Sequence, residues 1–295
     1  MTTLEVPEQT TSQAADFQRY YEEAGPDYAT WSPNFNMHFG FFRWGMNPLR
    51  REAMLEQMNE EVMHRLHLTP DSCARVFDLG CGLGATLRSL ARRLPQAELS
   101  GITLVPWQLE NGRRLNQSTP DAARVTLVLG NYERTAQPTQ SFDGVYAIES
   151  SCYARGANKS AFLKEAHRLL HPGGRIVIAD GFLGPSKLRG PQKSLYRRLC
   201  ECWVIDELGQ VDEVATGLKG LGFDNINVER IQSRVTPSVL HVPWVTAKFL
   251  LTQVLFGKRK MTRARWNNIV APLLMPFISY PFGPMAYYLI SATRV

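Results

Sequence analysis

VFDLGCGLG, residues 76–84, is the stretch on which the reading of this chain turns. Asp78 stands near the end of a hydrophobic strand, and Gly80, Gly82 and Gly84 follow at alternate positions ahead of a helix-forming run, ATLRSLARRL (85–94). Glycines let the backbone turn tightly and come close to a ligand, and a carboxylate at that spot accepts a hydrogen bond from a ligand cation or an ordered water. A pyrophosphate would be repelled by Asp78. The loop therefore predicts a ligand with a cationic end rather than a dinucleotide.

The alternation of strand and helix extends outward from this loop. Strands are expected at 74–80, 98–103, 125–131, 142–150 and 175–181, and helices at 85–94, 106–117 and 158–170, the last closed by a turn at Pro172-Gly173-Gly174. A helix at 213–223 leads into a strand near 226–232, and MAYYLISATRV suits a last strand. Such a rhythm implies right-handed crossovers and an α/β, doubly wound, seven-stranded and mostly parallel sheet. Upstream, Asn47-Pro48 is a helix start, and Met54, Met58, Val62 and Leu66 carry helical spacing through His67. Residues 1–16 read as a disordered polar tail and 17–295 as one domain, with a largely helical substrate lid drawn from 17–67, 182–212 and 236–284.

Composition bounds the function classes. The chain has 295 residues, 44% hydrophobic and 20% charged, so wholesale disorder and fibrous architectures drop out. Five scattered cysteines without paired CxxC spacing argue against a zinc site or a disulfide framework, and the polar N-terminus lacks the apolar core of a signal peptide. A cytoplasmic location is expected. Residues 269–290 are apolar and long enough to span a bilayer, but four prolines within them favour a buried or interfacial segment.

Taken together, VFDLGCGLG, FDGVYAIES (142–150) and HPGGRIVIAD (171–180) resemble the motifs of class I S-adenosylmethionine-dependent methyltransferases. Tyr20-Tyr21-Glu22, Asn36-Met37-His38-Phe39-Gly40 and Tyr146-Ala147-Ile148-Glu149-Ser150 are similar to segments shared by sterol, tocopherol and other prenyl-lipid methyltransferases and by cyclopropane fatty acid synthases. The third segment departs from the cyclopropane synthases. The resemblance implies an enzyme with S-adenosyl-L-methionine as cofactor, no metal, and a hydrophobic small-molecule acceptor such as a sterol, a triterpene or a prenyl compound.

The same resemblance suggests roles. Cofactor contacts fall on Tyr21, Asp78, Gly80, Gly82, Gly84, Thr103, Leu104, Gln108, Asn131 and Tyr132. Thr103 and Gln108 stand where other methyltransferases place an acid for the ribose hydroxyls, and Asn131 stands where an aspartate commonly meets the adenine amino group. Tyr132 is placed to pack on the adenine ring. Tyr21 either stacks on the sulfonium by cation-π attraction or fills core. Glu149, at the carboxyl edge of the fourth strand, either stabilises a carbocation formed when an alkene is methylated, or caps the next helix or orders the methionine end of the cofactor. His38 is either a general base, for a carbocation or for a phenol or quinol acceptor, or a structural histidine in the lid. A metabolite O- or N-methyltransferase, and a lipid-binding protein on a methyltransferase scaffold, stay open.

The net charge of +6 is too diffuse to point to nucleic acid, and no nucleic-acid motif is present. It is partly focused in 187–198 and 258–265. The second stretch follows the apolar run Phe249 to Phe256 and precedes Trp266, the composition of an interfacial segment. Peripheral membrane contact through 249–266, a substrate tunnel, or a diphosphate group on the substrate would each use these residues. A homo-oligomer is compatible with the sequence.

Overall fold

Side-chain alternation along the strands decides how the sheet is covered. In β1 (Arg75–Leu79), Val76 enters one core while Phe77 and Leu79 enter the other; in β7 (Met285–Arg294), Tyr287 and Leu289 take the first side and Tyr288 and Ile290 the second. The computed structural model describes residues 11–295. Its other strands are β2 (Glu98–Thr103), β3 (Val125–Leu129), β4 (Phe142–Ile148), β5 (Leu170–Leu183) and β6 (Phe223–Arg230). They join in one seven-stranded sheet of order β3-β2-β1-β4-β5-β7-β6, parallel except for β7, which runs against both neighbours. The strand order reverses between β1 and β4, so the crevice for a ligand opens at their carboxyl ends.

The helices are α1 (Thr11–Ala24), α2 (Arg51–Arg65), α3 (Ala85–Arg93), α4 (Pro106–Gln117), α5 (Ser160–Leu169), α6 (Gly190–Trp203), α7 (Val211–Gly220), α8 (Gln232–Val239), α9 (Val242–Phe256) and α10 (Arg263–Ile278). Leu163, Ala166, Val214 and Leu218 bury α5 and α7 on one face of the sheet. Leu87, Leu90 and Ala91 do the same for α3 on the other.

Four expectations change. Of the tail expected over 1–16, residues 1–10 lie outside the described residues, whereas 11–16 are helical and open α1. Asn47 caps a turn instead of a helix: its side-chain oxygen accepts the Leu49 amide at 2.9 Å and its carbonyl the Arg50 amide, so α2 starts three residues after Pro48. The Pro172-Gly173-Gly174 turn is absorbed into β5 as a register shift, where residues 170–175 face only 142–144 and Gly173 takes φ +83°. Finally, α2 is not lid. Met58, Val62 and Leu66 are fully buried against Val76, Tyr146 and Val177 of the sheet.

The segments that cover that crevice, called the lid below, are α1, the turn Gly25–Thr30, α6, α9 and α10. One buried ion pair locks it. Arg265 on α10, 1% exposed, donates to Asp27 through Nε at 2.6 Å and Nη2 at 3.0 Å, to Gln253 on α9 at 3.0 Å, and to the carbonyls of Arg259 and Lys260. Arg259 adds a second contact to Asp27 at 3.0 Å. Two members of the basic stretch 258–265 are thus spent on Asp27, Arg265 from the interior and Arg259 from the surface.

Removing Asp27 leaves a buried guanidinium without its counter-ion, which costs about 3–5 kcal/mol. Asp27→Ala is therefore expected to lower the melting temperature, and adding Arg265→Met to recover most of the loss. An unchanged melting temperature in the single variant would show that the pair contributes nothing.

Candidate active site

At the carboxyl ends of β1 and β4, the glycine loop bends back over the sheet. Gly80 sits at φ +124°, and a Cβ built there would fall 2.3 Å from the Cβ of Ser150. That approach lets the loops after β1 and β4 form one wall, tied by Ser150 Oγ donating to the Leu79 carbonyl at 2.6 Å. Gly82 and Gly84 are also left-handed, at φ +51° and +77°, the latter at the start of α3. The wall borders a cavity of about 1200 Å³.

All ten residues expected at the cofactor lie in or against that cavity: nine line it, and Gly84 closes the loop beneath it. Asp78 is buried, and burial lifts its carboxyl to about 7 although the neighbouring Tyr146 hydroxyl pulls the other way. Thr103 donates from Oγ1 to Gln108 Oε1 at 2.6 Å, and both are buried, so Gln108 is a wall residue of the cavity. No described residue accepts from Gln108 Nε2. Asn131 Oδ1 takes the Glu133 amide at 2.8 Å, which leaves one lone pair for a ligand. Tyr132 donates to the Ser150 carbonyl at 2.8 Å, with its ring edge-on to Phe162. The Leu104 carbonyl accepts from Gln18 Nε2 at 2.8 Å and so anchors α1 across the opening.

A second cavity of about 920 Å³ adjoins the first under the lid. Five residues border both: Tyr21, Met37, His38, Glu149 and Tyr153. Beyond them the second cavity is walled by aromatic and aliphatic groups, among them Tyr28, Trp31, Trp203, Val245, Phe249 and Ile269. Its one Lys or Arg side chain among the described residues is Arg265, already saturated by Asp27, Gln253 and backbone carbonyls.

Glu149 occupies the junction. It follows β4 directly in a left-handed conformation, φ +48°, a strain of the kind that clusters at functional sites. Oε1 accepts the Phe39 amide at 2.6 Å and the Tyr287 hydroxyl at 2.8 Å, while no described residue donates to Oε2. Removal from water raises its carboxyl to about 8, and Asp180 pushes the same way against those two donors. His38 is differently placed. Its Nδ1 meets the Phe39 carbonyl at 2.9 Å and its Nε2 meets Asn59 Oδ1 at 3.1 Å, so both ring nitrogens face protein acceptors, and burial lowers its pKa.

Tyr287 and Tyr153 were not singled out from sequence. In MAYYLISATR only the register against β5 tells which tyrosine, 287 or 288, faces Glu149. Tyr153, whose hydroxyl lies 3.0 Å from that of Tyr21, sits in the loop after β4 and carries no motif of its own.

The first cavity fits S-adenosylmethionine by its own features: a cradle at Gly80 that a side chain would fill, and a buried carboxylate at Asp78, without a basic partner among the described residues, suited to a cationic end. Residues 76–174 match the model of a family described as a methyltransferase domain. A protein of Oryza sativa subsp. japonica, "Probable tocopherol O-methyltransferase, chloroplastic", is 26% identical over 93% of this chain and 76% of its own length. Cycloartenol-C-24-methyltransferase of Arabidopsis thaliana is 31% identical over 52% of this chain and 44% of its own. Among solved structures, geranyl diphosphate C-methyltransferase from Streptomyces coelicolor A3(2), in complex with S-adenosyl-L-homocysteine, superposes with a TM-score of 0.70 at 17% identity, covering 98% of this chain and 100% of that one. Residues 76–174 match a methyltransferase domain, and over nearly its whole length the chain shares the fold of that solved methyltransferase.

Proposed function

We propose that the protein methylates carbon on a neutral hydrophobic isoprenoid, a sterol, a triterpene or a prenyl compound, at an alkene facing Glu149. The observation that carries this reading is the position of Glu149 on the walls of both cavities, with one carboxylate oxygen fixed and the other unclaimed. S-adenosylmethionine supplies an electrophilic methyl group on a cationic sulfur that departs with the bonding pair as a neutral thioether. One alkene carbon of the acceptor gives its π pair to the methyl, and positive charge appears on the neighbouring carbon. A carboxylate held beside that carbon stabilises the charge without reorganising, because Phe39 and Tyr287 have already fixed it. Loss of a proton then restores an alkene. Rings around the junction support the same charge: Tyr21 lies 6.4 Å from Tyr28 and 6.3 Å from Tyr153.

Neutrality of the acceptor follows from the second cavity. A diphosphate needs unspent cations, and Arg265 has none of its charge to spare. His38 serves as a positioning residue, since its imidazole holds the turn that aims the Phe39 amide at Glu149. A second reading, methylation of a phenol oxygen on a prenylated ring, is favoured by the tocopherol O-methyltransferase relative that spans 93% of the chain. Glu149 would then take the phenol proton, a task that suits a carboxyl raised to about 8. Peripheral membrane contact through 249–266 belongs to the same reading.

A labelled-methyl assay across neutral isoprenoids, prenyl diphosphates and prenylated phenols separates these readings. Transfer to carbon of a neutral alkene is expected; efficient transfer to a diphosphate would refute the neutral cavity. Glu149→Gln should lower turnover roughly 10²–10³-fold with far smaller change in cofactor affinity.

The raised carboxyls set the pH dependence. Asp78 must ionise to hold a cation, so cofactor affinity rises with pH through about 7, and turnover rises through the Glu149 value, at or below about 8 once a cation is bound. Asp78→Asn should flatten the first profile and Glu149→Gln the second. Without cofactor the native state keeps protons that the unfolded chain has released above 3.8 and 4.5. Stability should therefore fall as pH rises from those values toward 7 and 8. A free-enzyme stability independent of pH over that window would show the two acids to be unperturbed.

A further inference from the structure

Residues 230–295 contain nine Lys or Arg and no Asp or Glu. The chain before them is net acidic. Within this stretch α9 and α10 each carry apolar residues on the face turned away from the cavity. On α9 they are Trp244, Leu251 and Leu255, and on α10 Trp266, Leu273 and Phe277, between 37% and 71% exposed. Both sets follow the spacing i, i+7, i+11, which places each on one helix face. Other faces, with Val245 and Phe249 on α9 and, on α10, Pro272 and at the edge of the stripe Ile269, line the acceptor cavity. A helix apolar on both faces is ordinarily enclosed on both, yet no described part of the chain covers the outer ones.

The cations around these stripes divide into two sets. Arg259 and Arg265 are bound to Asp27, whereas Lys248, Lys258, Lys260 and Arg263 are exposed and pair with no acid among the described residues. We infer that the outer faces of α9 and α10 form a docking surface for an anionic lipid bilayer, through which a membrane-dissolved acceptor passes between the two helices into the cavity. Apolar side chains would enter the acyl boundary while the four basic groups meet lipid phosphates and carboxylates. A second copy of this chain is the poorer occupant, because a two-fold contact would set this acid-free face against itself. The purpose of the surface rests on the proposed hydrophobic acceptor; its geometry does not.

Co-sedimentation of the full chain with phosphatidylcholine vesicles, with and without phosphatidylserine, tests the proposal. Binding is expected only to the mixed vesicles and should weaken with added salt. Neutralising Lys258 and Lys260 by K258Q and K260Q should each cost roughly fivefold in affinity. Changing Leu251, Leu255 and Phe277 together to Ser should cost about tenfold or more. None of these residues borders either cavity, so S-adenosylhomocysteine affinity and methyl transfer to a short, water-soluble acceptor should stay at wild-type values in every variant. Failure of the wild-type chain to bind mixed vesicles would overturn the inference. So would a dimer in sedimentation velocity that the triple variant dissociates. Vesicle binding without transfer to any isoprenoid would sink the acceptor assignment and leave the docking surface standing.

Discussion

A single carboxylate oxygen joins three distant parts of the chain. Glu149 Oε1 takes one hydrogen bond from Phe39, in the loop before α2, and another from Tyr287, in the last strand, while its own backbone ends β4. The left-handed backbone at Glu149 is tolerated because these donors, together with the Glu149 amide bonded to the Ala179 carbonyl at 2.9 Å, hold the residue from both sides. Cavity shape follows from that clamp. The loop that supplies Phe39 also carries Met37 and His38 to the junction between the two cavities, so the second cavity shares its wall with the clamp on Glu149.

The clamp also explains why one side of the site was legible in the sequence and the other was not. Asp78, the glycines, Thr103 and Gln108 follow strand ends in order, and a parallel sheet brings successive strand ends to one edge whatever its details. Their grouping could be read from alternation alone. Tyr287, Tyr153, Asp27 and Arg265 meet through long-range packing between segments that carry no periodic signal, separated by up to 238 residues in the case of Asp27 and Arg265. The placement of His38 turns on a similar contact. Asn59, on α2, occupies its Nε2, and nothing in Asn36-Met37-His38 announces a partner twenty-one residues on.

Charge in the lid obeys two different rules. Inside, Arg265 is affordable only because Asp27, Gln253 and two carbonyls satisfy its donors, and that saturation is what makes the surrounding cavity apolar in effect despite its containing a guanidinium. Outside, Lys258, Lys260 and Arg263 are exposed and hydrated, so they are available to a surface at almost no desolvation cost. A stretch that reads as one basic cluster in sequence is therefore two structures: a lock on the lid and a fringe around it.

That division bears on how an apolar acceptor and a charged cofactor reach the same point. The cofactor cavity is lined by Asp78, Gln108 and Asn131, whose polar atoms suit a charged, water-soluble ligand. The acceptor cavity is bounded by α9 and α10, apolar within and without, and its wall is fastened to the N-terminal segment chiefly through Asp27 and the Tyr20 hydroxyl bonded to Asn268 at 2.9 Å. Two approaches of opposite polarity thus converge on Glu149. A carboxyl in that position feels the low dielectric of the acceptor side when alone and the positive charge of the cofactor side when the cofactor is bound. A cation in the first cavity therefore favours its ionised form, the form that the proposed transfer needs.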